Sequence, residues 1–102
     1  MGLEIVLQDE NGREIDRVSD AQGVLNGLIR KGVDERFQCL RFVDPYGDTT
    51  FNRLQMNQLL LELGKLQEVA KKIDEHELLQ KLQELSIKCR DQAHLYIKIY
   101  GD

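Results

Sequence analysis

A chain of 102 residues with a net charge of −4 has room for one domain, over residues 1–102, and for one modest core. Its 41% apolar and 31% charged content, with a single proline and no low-complexity run, excludes a disordered chain or a long linker. Leu59, Leu60 and Leu61 form as long an uncharged apolar run as the chain has, so no segment is expected to cross a bilayer and no membrane role follows.

In chain order, Leu3, Ile5 and Leu7 alternate with Glu4, Val6 and Gln8, which predicts a strand with one buried face. Asn11-Gly12 is a strong hairpin signal, because both residues tolerate positive φ. Residues 13–18 return as a polar partner strand with only Ile15 and Val18 apolar, the character of a charged edge. Ser19 is placed to cap a helix whose apolar face is Ala21, Val24, Leu25, Leu28 and Ile29. Arg30 and Lys31 suit the end of its dipole, and Gly32 stands where a C′ glycine is expected. The spacing of Gly23 and Gly27 suggests close packing of this helix on the sheet.

Residues 37–43 read as a central strand, with Phe37, Cys39 and Val43 on one face and Leu40 and Phe42 on the other. Asp44-Pro45-Tyr46-Gly47 has the composition of a type I turn, and residues 49–51 begin a return strand. Residues 52–91 predict two consecutive amphipathic helices. Asn52 with Gln55 marks the first start. Leu59, Leu63, Leu66, Ala70 and Ile73 form one stripe, and Leu78, Leu82, Leu85 and Cys89 begin another. One straight helix would put these stripes on different sides. The break is expected at Asp74, whose partner in a capping box would be Glu77. Leu60 and Leu61 widen the first stripe, and Gly64 inside it suggests a close approach or a bend. Leu95, Ile97 and Ile99 alternate with Tyr96, Lys98 and Tyr100 as a last strand, apolar enough to insert between others. The expected fold class is α+β. An antiparallel or mixed sheet of four or five strands carries helices packed on one face, in the order β-β-α-β-β-α-α-β.

No pattern for catalysis emerges, and the chain is not expected to be an enzyme. Cys39, Cys89, His76 and His94 lack the spacing of a zinc site. Cys89 with His94 is the one nucleophile and base pair, but Cys89 occupies a core stripe, where thiols are unreactive. Both cysteines read as buried reduced thiols. Asp44 and Asp48 flank a turn without the ligand pattern of a calcium loop, and there is no phosphate loop or dinucleotide fingerprint, so no cofactor or metal is expected.

The charge is unevenly spread. Residues 1–20 hold six acidic side chains against Arg13 and Arg17, so the chain's negative excess belongs to that segment. An acidic chain without a basic cluster is a poor nucleic-acid binder. The surface features left are the acidic hairpin, with Glu4, Glu10, Glu14 and Asp16, and the turn bearing Asp44, Tyr46 and Asp48. Together they suggest a non-catalytic module that binds another protein with a basic surface. No basic region followed by an apolar run opens the sequence, so no signal peptide is expected and the cytoplasm is the expected compartment. Size, acidity and the α+β layout are similar in general style to bacterial immunity proteins that neutralise toxins, which implies an inhibitor as the most specific version of this reading. The alternative is a structural subunit, a homodimer or larger assembly joined through Leu60 or Leu61 and Met56.

Overall fold

A computed structural model of the chain describes residues 2–101. Two strands open the fold, β1 (Leu3–Asp9) and β2 (Glu14–Asp20), joined by a loop in which Gly12 takes φ 81°. The Asp9 carboxylate accepts from the N–H groups of Asn11 and Arg13, both at 2.9 Å, and so closes the loop on itself. Then follow α1 (Val24–Gly32), β3 (Asp48–Asn52), α2 (Met56–Val69), α3 (Ile73–Asp91) and β4 (Leu95–Tyr100). The sheet is antiparallel throughout, in the order β2-β1-β4-β3. The last strand does insert centrally, and the polar β2 does lie at an edge. The fold class is α+β.

Leu3, Ile5, Leu7, Leu95, Ile97 and Ile99 supply the sheet side of the core, all at 7% exposure or less. Both helical stripes oppose them. Leu59, Leu63 and Leu66 of α2 and Leu78, Leu82, Leu85 and Cys89 of α3 are buried, as are Leu25 and Leu28 of α1. Burying each leucine removes it from water for a gain of about 1.5–3 kcal/mol.

The expected strand at 37–43 is not a strand. Phe37, Cys39 and Leu40 are buried, as the apolar pattern implied, but residues 40–42 form a 3-10 turn. The cause lies in the backbone donors. Glu62, fully buried on α2, accepts from the N–H groups of Gln38 (2.6 Å), Cys39 (3.1 Å) and Leu40 (2.9 Å). Phe42 and Val43 donate back to the carbonyls of Cys39 and Leu40. A segment whose donors are spent on a carboxylate has none left for a ladder. The element order is therefore β-β-α-β-α-α-β.

Helix boundaries differ from expectation for similar reasons. Ser19 stays in β2 and donates to Glu4, while the buried Asp20 carboxylate caps α1 by accepting from Val24 N–H (2.9 Å) and Leu25 N–H (2.8 Å). Ala21 is exposed and lies before the helix. Gly32 is the last helical residue rather than a left-handed cap; a Cβ there would lie 2.9 Å from a Leu66 methyl, so its smallness lets α1 approach α2. Gly23 takes φ 72° ahead of α1, and a Cβ on Gly27 would meet nothing within 4 Å, so close packing on the sheet explains neither. The same holds for Gly64, which also has nothing within 4 Å.

The turn between α2 and α3 falls at residues 70–72, before Asp74. Glu75, not Glu77, is the capping carboxylate, accepting from Lys71 N–H at 3.0 Å and Lys72 N–H at 3.1 Å. Ile73 consequently leaves the stripe and is 77% exposed. At the start of α2, Asn52 and Gln55 form the expected reciprocal cap, with a 3-10 turn at Arg53–Gln55 leading into the helix.

Candidate functional site

Helices cover one face of the sheet and leave the other open. Strand register lays out that open face as three rows, read from β2 across to β3. They are Ser19, Glu4, Tyr100, Asp48; then Arg17, Val6, Lys98, Thr50; then Glu14, Gln8, Tyr96, Asn52. Val6 at the centre is only 2% exposed, with Arg17 and Lys98 as its cross-strand neighbours.

Much of the acidic charge is engaged within the molecule. Arg17 pairs with both Glu4 and Glu14. Hydrogen bonds from Ser19 and then Arg17 hold the Glu4 carboxyl below its ordinary range. Asp16 points to the helix side of the edge strand and meets Lys88 of α3 at 2.9 Å; that hydrogen bond is the main reason its carboxyl is also held low. Such exposed pairs are screened by solvent, so they shape the surface more than they stabilise the fold. Glu10 sits by His94 at 3.3 Å, and Asp48 lies 3.8 Å from Lys98.

The seven acidic and aromatic residues singled out from sequence therefore do not make one patch. Glu4, Asp44, Tyr46 and Asp48 gather at the end of the sheet where β4 finishes. Glu10 and Glu14 lie at the opposite end, and Asp16 is turned towards α3. The 44–47 turn is held on two sides. The Asp44 carboxylate accepts from Tyr46 N–H at 2.9 Å, and Gly101 N–H donates to Gly47 C=O at 2.7 Å. Thr49 Oγ1 accepts from Asp44 N–H at 3.0 Å. On this fixed loop Tyr46 is 68% and Phe42 is 59% exposed, with the Arg41 guanidinium 4.5 Å from the Phe42 ring centre.

Cys39 and Cys89 are free, buried thiols, each pushed up to about 11 by burial, with Glu62 adding to the effect at Cys39. Cys89 Sγ reaches the carbonyl of Leu95 at 3.4 Å, whereas His94 is on the surface beside Glu10. No group of three or more His, Cys, Asp or Glu among the described residues is placed to hold a metal ion. No helix among the described residues is long and apolar enough to cross a membrane. Met56 is wholly buried within its own chain, which removes it from any contact between copies; Leu61 remains 55% exposed.

Two features escaped the sequence reading. Glu62 lies in register with Leu59 and Leu66 inside an apolar stripe, and an acidic residue at such a position was the available sign. The other is a cleft of about 340 Å³ at the far end of β3 and β4, lined by Arg53, Leu54, Ala93, His94 and Tyr96 among others. His94 takes φ 64°, the one positive φ outside glycine among the described residues, at a cost of about 1–2 kcal/mol. No family model, curated protein or solved structure matches the chain.

Proposed function

We propose that the protein is a non-catalytic binding module that grips a protein partner with the 41–48 loop and the adjoining end of the open sheet face. The observation that carries this reading is Tyr46, bare on a turn held by Asp44 on one side and Gly101 on the other. Aromatic and arginine side chains presented on a rigid support freeze few torsions on binding, which is why they dominate contact energies. Phe42 and Arg41 beside Tyr46 fit that pattern. The net charge of −4 favours a basic partner, since a long-range field raises the encounter rate even where individual carboxylates are locally paired. A toxin-neutralising inhibitor is the most specific version.

The test is affinity capture with the immobilised protein, repeated with Tyr46→Ala and with Asp44→Lys. A single basic protein released by salt and lost from both variants supports the proposal. Undiminished capture by both variants refutes it. The exposure of Leu61 supports a second reading, a subunit of a homodimer or larger assembly. A dimer mass in dilute solution that Leu61→Glu abolishes would favour it.

A further inference from the structure

Two locally unfavourable choices and an unpaired cation meet at the depression beyond the far end of β3 and β4. His94 holds a left-handed backbone where glycine or asparagine would sit with less strain. Leu54 is 83% exposed, the barest large apolar side chain among the described residues, although the capping of α2 needs only Asn52 and Gln55 around it. Arg53 forms no ion pair with any described carboxylate. All three line the same open surface depression of about 340 Å³. Sequences break local rules mainly where a site demands it.

The chemistry of the lining is specific. Arg53 offers a planar fork of donors suited to a carboxylate or phosphate. Glu10 Oε2 lies 3.3 Å from His94 Nδ1, and when the ring is protonated its Nε2–H is a donor for an anion. Leu54 and Ala93, with the half-buried Tyr96 from the open face, supply apolar and aromatic surface beside these donors. Asn52 is committed to the helix cap.

We infer that this cleft binds a small organic anion with a planar apolar portion, its charged group on Arg53 and His94 and its ring against Leu54 and Tyr96. The site lies at the opposite end of the sheet from Tyr46 and does not depend on the protein-binding proposal.

The probes are benzoate and phenyl phosphate, with inorganic phosphate and benzyl alcohol as the charge-only and ring-only counterparts. Each is titrated to about 10 mM while backbone and arginine side-chain NMR signals are followed. Saturable shifts confined to residues 52–54 and 93–96 are expected with one or both aromatic anions. Arg53→Ala and His94→Asn should each weaken that binding at least about tenfold. His94→Asn keeps a residue suited to the left-handed backbone, so it separates loss of the imidazole from loss of the fold; unchanged melting with weakened binding is the expected pair of results. No saturation by either aromatic anion overturns the inference. So does equal binding of inorganic phosphate or benzyl alcohol, or binding that both variants leave unaltered.

Discussion

The Glu62 carboxylate and the Leu40 N–H meet at 2.9 Å across 22 residues of chain, and Gln38 and Cys39 N–H share the same acceptor. Gln58 Nε2 adds a fourth partner at 2.7 Å. A buried carboxylate is costly to desolvate, and here every direction of approach is filled by a donor. Glu62→Ala would leave three backbone donors without an acceptor inside the protein. The expected loss is about 3–5 kcal/mol, measured as a shift in the urea midpoint. Amide exchange at residues 38–40 should accelerate more than that of β1. Glu62→Gln keeps one acceptor oxygen and should fall between the two.

That contact also explains what the sequence could and could not disclose. Alternation and 3.6-residue spacing depend on burial alone, so β1, β4 and both leucine stripes were legible at once. Residues 37–43 obeyed the same burial rule only in part, with Phe37, Cys39 and Leu40 inside but Phe42 59% exposed, and burial does not say where the N–H groups go. Their acceptor lies 22 to 24 residues away, beyond the reach of any local pattern. The α2–α3 break was misplaced by a few residues because Asp74, Glu75 and Glu77 are all plausible capping carboxylates; only the turn's path selects Glu75. The acidic hairpin was legible as composition. Its division between a face, an edge and two ends required the register.

Asp20 joins β2 to α1 by accepting from two N–H groups of the first helical turn while only 4% exposed. Asp20→Ala removes both bonds from a buried position. A loss of about 1–2 kcal/mol is expected, with Asp20→Asn losing less, by thermal or urea unfolding. If alanine proves neutral, the cap is not what positions α1.

Glu75 gives a stability term with a definite pH window. Hydrogen bonds from Lys71 N–H and Lys72 N–H, then the charges of Lys31 and Lys72, hold its carboxyl below the ordinary 4.5. A carboxyl depressed in the folded state stabilises the fold in full above its unfolded value. That contribution disappears as pH falls through the lower folded value. Wild type should therefore exceed Glu75→Gln at neutral pH, and the gap should close below about pH 4.5. Urea midpoints taken from about pH 7 down to about pH 3 would show it. A gap independent of pH would mean that the amide replaces the cap without regard to charge.

The two thiols should be silent in the native protein. With both pushed up to about 11 and with 2% or less of either residue exposed, almost no thiolate is available at about pH 8. A disulfide-exchange reagent is expected to label neither cysteine until denaturant is added, and then to label both. Rapid labelling of Cys39 alone without denaturant would show that the Glu62-held segment opens far more often than global unfolding.

Gly64 and Gly32 make opposite predictions from the same substitution. Gly64 lies inside α2, and an added Cβ would touch nothing within 4 Å. Alanine restricts the unfolded chain and propagates the helix better, so Gly64→Ala should stabilise by about 0.5–1 kcal/mol. Melting should rise by about 2–8 °C for a domain of this size. At Gly32 the new Cβ would stand 2.9 Å from Leu66 Cδ2, and Leu66 is fully buried, so that methyl has to shift within the core. Gly32→Ala must spread α1 from α2 or strain a rotamer, at a cost of about 1–3 kcal/mol. If Gly64→Ala instead destabilises the chain, its Cβ position is occupied in solution, and contact between copies along the exposed side of α2 becomes the first thing to measure.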